Sequence, residues 1–266
     1  MVFIATLRKD RIEYLRSKKS FICIMTLFAC CAAVLGMTLL LPTVVDRLSD
    51  TAMILNKDAS VTEFMRQFFP DDLSGSMKIL SGDIGVFYGI TVVLLSHRTA
   101  PDELASAKAV LPFCAGHSRN KLLLSKQITY SVMMSVPAYA FYMLYYTTAS
   151  GFLKVNYHIK DAVINGFVLA FSIFVIVNVT ICLSMIYRSN FGVLIFMIGM
   201  IAAAPDVLSF FTIGKYLPTY LLTLTYLSNT DHLQLIAPLG TAILLLLFLE
   251  GHVLLKKDMI NLTDRR

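Results

Sequence analysis

Val163-Ile-Asn-Gly-Phe-Val-Leu-Ala-Phe-Ser-Ile-Phe-Val-Ile-Val-Asn-Val-Thr-Ile-Cys-Leu-Ser-Met-Ile186 carries no charged side chain. A helix rises 1.5 Å per residue, so ~20 apolar residues cross a hydrocarbon core about 30 Å thick. This run is long enough. Five more flank it: Phe21–Leu41, Ile79–Leu95, Gln127–Ala149, Phe191–Phe211 and Leu235–Leu254. The pattern predicts an all-α membrane protein with six transmembrane helices, at 21–41, 79–95, 127–149, 163–186, 191–211 and 235–254.

Composition points the same way. The chain is 57% hydrophobic with a mean hydropathy of +0.71, and 15% charged, against about 25% in soluble domains. Six spans and their connections use nearly all of the 266 residues, which predicts a single membrane domain over 1–266. The net charge of +6 is not the footprint of a nucleic-acid binder, because the basic residues cluster at span ends, as the positive-inside rule expects. Cys23, Cys30, Cys31 and Cys182 lie in apolar runs and Cys114 in a connecting loop, with no metal-ligand spacing, so they read as packing residues. The first run is too long for a signal-peptide core and Pro42-Thr-Val-Val45 is a poor cleavage site, so 21–41 is expected to be a retained span.

Orientation follows from the basic residues. With the N-terminus inside, segments 1–20, 96–126, 187–190 and 255–266 hold 16 of the 23 lysines and arginines. Segments 42–78, 150–162 and 212–234 hold the other 7. The bias predicts an N-in/C-in topology.

The weakest features mark where function is to be sought. Asp83, among Gly82, Gly85 and Gly89, sits in the second run, at headgroup level or facing a polar interior. Pro137 implies a kink in the third. Pro205-Asp206 interrupts the fifth, and with Gly214 and Pro218 suggests a re-entrant region over 205–220 before the last span. Asn178 in the fourth run suggests interhelical hydrogen bonding. Glu250 near Lys257 suggests an interfacial contact. Residues 6–20 predict an interfacial helix, with Leu7, Ile12, Tyr14 and Leu15 on one broad face and Arg8, Lys9, Arg11, Arg16, Lys18 and Lys19 in water. The segment 42–78 is expected to be an outer loop. Ser60 and Glu63 in it have capping-box spacing, opening a short helix over 61–69 that ends at Pro70.

The segment 96–126 decides the functional reading. Pro101-Asp102-Glu103 suits a helix start, with acids at the positive dipole end. A helix over 102–111 would stop before Pro112, and Ser118 after Ala115-Gly116-His117 can cap the helix that enters the third span. The product is a short cytoplasmic helix held under the bilayer between spans two and three.

Here the sequence resembles the permease subunits of type-2 ATP-binding-cassette (ABC) exporters. In that family the corresponding loop carries a Glu, a Gly-Thr, a Pro-x-Ser-Arg turn, and a Lys seven residues after the Arg. Glu103 stands sixteen before Arg119, Ser118-Arg119 match the Ser-Arg pair, and Lys126 is seven after Arg119. Ala107-Lys108 replaces Gly-Thr, and Gly116 stands where Pro is common. The interfacial helix, the short inner turn 187–190, and Lys215-Tyr-Leu-Pro218-Thr-Tyr-Leu before the last span extend the likeness along the chain.

The resemblance implies a coupling loop over 96–126, with Glu103, Ser118, Arg119 and Lys126 as the ATPase-coupling residues. It implies two partners, a cytosolic ABC ATPase subunit and a second permease copy or sister permease. It also implies residence in the cytoplasmic (inner) membrane. The sequence has no Gly-x-x-x-x-Gly-Lys-Ser/Thr loop, so no cofactor of its own is expected, and ATP would be bound by the partner. Sparse intramembrane charge predicts an amphipathic or hydrophobic cargo: peptide, drug or lipid-like. Two alternatives stay open. One is an accessory or immunity membrane protein that binds a peptide without transporting it. The other is an intramembrane protease, for which Ser74-Gly75-Ser76 is the nearest nucleophile-like stretch, while His97, His117, His158 and His232 lie in loops and His252 at a span end.

Overall fold

The computed structural model describes residues 2–54, 72–99, 101–102, 119–153, 156–187, 190–207 and 232–255. Among these residues every long element is a helix and there is no strand. The helices are α1 (Val2–Arg16), α2 (Lys18–Ile54), α3 (Leu73–Ser96), α4 (Arg119–Ala149), α5 (Ile159–Ile186), α6 (Asn190–Val207) and α7 (His232–Leu255). Three stretches are long and apolar enough to cross a membrane: Lys18–Leu40, Leu73–Ser96 and Ile159–Ile186. Phe191–Ala202 and Pro238–Leu249 are shorter apolar helices. These features fit a membrane protein.

The expected spans 21–41, 79–95, 127–149 and 163–186 each fall inside one helix, and each helix overruns its apolar run, α2 and α3 into what the sequence suggested was outer loop. Helix α2 continues from the first run to Ile54. No Gly or Pro interrupts residues 43–54, so nothing local stops the helix where its hydropathy falls. Helix α3 begins at Leu73, six residues before Ile79. Asp72 is its N-cap: the carboxylate accepts a 3.0 Å hydrogen bond from the Gly75 N–H, meeting a donor that the helix start leaves open. Hydropathy reports the edge of the bilayer, and capping reports the end of the helix. The 61–69 helix lies outside the described residues, as do residues 208–220 of the 205–220 region.

Helices α4 and α5 form the central pair. Helix α5 also packs on α3, α6 and α7, while α1 and α2 pack against α4. Gly166 sets the α4–α5 approach. A Cβ placed there would stand 2.9 Å from Cδ1 of Tyr142 and 3.3 Å from the Tyr139 ring. The core is rich in tyrosine, with Tyr14, Tyr88, Tyr130, Tyr142, Tyr145, Tyr146 and Tyr157 all buried. Most of their hydroxyls have partners, as buried phenols require; that of Tyr88 donates to the Met134 carbonyl at 2.6 Å.

Helix α1 corrects the expected amphipathic face. Tyr14 and half-buried Leu7 turn inward with Thr6 and Asp10, whereas Ile12 and Leu15 stay exposed beside Ile4. A stripe at i, i+4 and i+8 (Thr6, Asp10, Tyr14) therefore packs on the bundle. The exposed side interleaves Ile4, Ile12 and Leu15 with Arg8 and Arg11, whose stems can lie along apolar surface while their charges reach water. Helix α1 ends at Arg16, followed by Ser17, whose hydroxyl and N–H both donate to the Tyr14 carbonyl, at 2.6 and 3.1 Å. Asn178 also differs from its reading. Its amide donates to the Phe174 carbonyl of its own helix at 2.9 Å.

Candidate functional site

The expected coupling residues divide between described and undescribed parts of the chain. Glu103 and Ser118 lie outside the described residues, with the whole of 103–118. Arg119 is the first residue of α4. Lys126, two turns further along, is the one whose surroundings are visible, and it is buried rather than displayed for docking.

Lys126 is 3% exposed and faces Asp10 of α1, 1% exposed, with Nζ 4.0 Å from Oδ1. The other Asp10 oxygen accepts a 2.6 Å hydrogen bond from the Ser125 hydroxyl. Successive residues of α4 thus hold both oxygens of one carboxylate. The Tyr130 ring lies beside this pair, its centroid 5.7 Å from Lys126 Nζ and 5.3 Å from Lys19 Nζ of α2. Such distances suit cation–π attraction. Tyr14 meets the same ring edge-on, with centroids 5.4 Å apart at 82°. Lys19 donates to Thr99 Oγ1 at 3.2 Å, just past the end of α3.

Charge here is held at the cost of solvation. Burial raises the Asp10 carboxyl above its ordinary 3.8, although the Ser125 hydrogen bond and the Lys126 ammonium pull it down. Burial likewise lowers the Lys126 ammonium below 10.5, with Asp10 opposing. A buried carboxylate and ammonium favour their neutral forms unless each compensates the other. The arrangement is a mechanical joint. It ties the second half of α1 to the base of α4, and through Lys19 and Thr99 it connects the start of α2 to the end of α3.

Sequence reasoning missed Asp10, Ser125, Tyr130 and Thr99 as members of this joint. The available signal was the Thr6–Asp10–Tyr14 spacing, a polar stripe at helical period within a basic segment. It was masked by weighing only the apolar residues of the same helix.

At the other end of the bundle the helices are joined by neutral groups and the Asp72 carboxylate. Asn156 donates to the Asp72 carboxylate and accepts from the Ser74 N–H at 3.1 Å. Asn165 donates to the Tyr157 hydroxyl, and the Tyr146 hydroxyl to the Tyr157 carbonyl at 3.3 Å. The Ser76 hydroxyl is partnered by that of Tyr145, so the serine of the nucleophile-like stretch faces a phenol. Among the described residues no three His, Cys, Asp or Glu side chains gather as for a metal ion. Cys23, Cys30 and Cys182 are buried, and Cys182 Sγ accepts from Gln127 Nε2 at 2.8 Å. No family model matches this chain, and no curated protein matches it.

Proposed function

We propose that this chain is the membrane-spanning permease subunit of an ABC exporter, moving an amphipathic or hydrophobic cargo with ATP hydrolysed by a separate ATPase subunit. In this reading the six spans run N-in/C-in through a cytoplasmic membrane, and two permeases pair over two ATPases. The segment 103–118, with Glu103, Ser118 and Arg119, is the part gripped by the motor. Lys126 acts one step behind it, as the tether that passes movement of the segment into α1 and α4.

One observation supports this reading beyond the sequence resemblance. The buried Asp10–Ser125–Lys126 joint lies less than two turns into α4, immediately after the proposed docking segment. A push on that segment meets a helix already locked to α1 and, through Lys19, to the end of α3. A lever needs such a rigid mount, because a loosely held loop would dissipate displacement instead of transmitting it.

The test is affinity purification of the tagged chain from its native host. The expected result is co-elution of a nucleotide-hydrolysing subunit, lost when residues 102–120 are scrambled. Recovery of no ATPase, or recovery indifferent to the scrambling, favours the accessory peptide-binding role. Labelling Ser118→Cys from outside with an impermeant maleimide adds a topological check: exterior reaction would overturn the orientation.

A further inference from the structure

Helix α3 changes its winding midway. Leu73–Asp83 and Gly89–Ser96 are α-helical, and Ile84–Tyr88 between them is a π-helical turn. Such a turn fits an extra residue into the helix and recurs at functional sites. Asp83 stands immediately before it. At 1.5 Å per residue it lies about 15 Å along the helix from Leu73, near the middle of the 24-residue apolar stretch.

The carboxylate is half-buried. Among the described residues it has no hydrogen bond or ion pair. Across the seam to α2 its titratable neighbour is the Cys30 thiol, close enough to feel its charge. The nearest basic residue along α3, Lys78, lies five positions away and about 140° around the helix. Phe87, four residues beyond Asp83 on the same side, is 58% exposed. Half-buried Ile79, Val86 and Ile90 border the two. An ionisable group at membrane depth is costly and normally has a partner. Among the described residues no such partner stands here, and an aromatic face and an apolar rim lie beside the charge.

We infer that Asp83 and Phe87 form a recognition point for a lipophilic cation, meaning an amine or other positive group carried on an apolar body. The carboxylate answers the charge, the Phe87 ring offers its electron-rich face, and the rim covers the apolar part. The inference deepens the export reading, on which its physiological sense rests, by assigning the cargo a positive charge.

The test uses the purified full-length chain in detergent and the cationic dye rhodamine 6G, with binding read by fluorescence polarisation. The neutral dye Nile red is the control. Saturable rhodamine binding is expected, weakened about tenfold or more in Asp83→Asn, largely kept in Asp83→Glu, and weakened less in Phe87→Leu. Nile red binding should stay unchanged throughout. Absent saturable binding by the wild-type chain, undiminished rhodamine binding by Asp83→Asn, or equal loss of both dyes would each overturn the inference. So would a changed oligomeric state in Asp83→Asn with dye binding intact, which would assign the carboxylate to an interface between copies. Dye binding needs no ATPase. Its failure is therefore distinguishable from failure of the purification experiment, which bears on the export reading alone.

Discussion

At the α1 end of the bundle, Asp10 and Lys126 bury opposite charges against each other beneath Tyr130. At the Asp72 end, α3, α4 and α5 meet through hydroxyls and amides: Ser76 with Tyr145, and Asn165 with Tyr157. The first end joins α1, α2, α3 and α4, the second α3, α4 and α5, and they should respond differently to damage. Neutral hydrogen bonds between membrane helices are individually weak, about 0.6 kcal/mol on average. A buried charge pair is worth little against an apolar substitute, but breaking it by removing one partner strands the other. The charged end therefore behaves as a latch that stands or falls as a pair, and the neutral end as distributed glue.

The sharpest way to break this contrast is at the latch. Asp10→Ala or Lys126→Ala alone should destabilise the protein by about 3–5 kcal/mol, because each leaves an uncompensated buried charge. The double change Asp10→Asn with Lys126→Met should fall within about 1 kcal/mol of wild type. Thermal unfolding in detergent, followed by circular dichroism, reads all of these. A loss in the double equal to the sum of the losses in the singles would mean that the two groups are not energetically coupled.

At the Asp72 end the larger effect should come from packing, not polarity. Gly166→Val places a Cβ 2.9 Å from Tyr142, overpacking the α4–α5 contact at a cost of about 1–3 kcal/mol. Substitution at Gly199, which has open space around it, is the matched control and should change little. Below that comes Asn165→Ala, which removes the donor to the Tyr157 hydroxyl and should cost about 1 kcal/mol. A loss as large as that from Asp10→Ala would erase the distinction between the two ends.

The same contrast shows what the sequence could reveal. The stretches Lys18–Leu40 and Ile159–Ile186 both read as spans, yet 28% of the first is buried in the protein against 67% of the second. Hydropathy cannot separate them, because lipid and protein interior are equally apolar. What separates them is small and polar residues: α5 buries Asn165, Gly166, Ser172, Asn178, Thr180 and Ser184. Four of these bond carbonyls four residues back in the same helix, which satisfies them without a partner helix. Helix existence was thus legible from apolar runs. Some helix ends were legible too, since α4 starts at Arg119 just after Ser118 and α5 ends at Ile186; the start of α3 was not, since Asp72 caps it through a single carboxylate that looks in sequence like one more acid of an acidic segment. The joint was half legible. Lys126 was found through loop spacing, but its partner lies 116 positions away, and no local pattern couples residues so distant.

The smallest effect distinguishes the ends by pH. Burial holds the Asp10 carboxyl above 3.8. Between 3.8 and that raised value the folded chain keeps a proton that the unfolded chain has released. Its contribution to stability therefore grows as pH falls through the raised value, and is complete below 3.8. Lys126 is shifted the other way, below 10.5, and its contribution grows only as pH rises from the lowered value toward 10.5. Acidification through the raised value should raise the unfolding temperature of the wild-type chain in detergent, Asp10→Asn should remove that slope, and Asn165→Ala should keep it. A slope surviving in Asp10→Asn would assign the titration to another group and leave the latch without its pH signature.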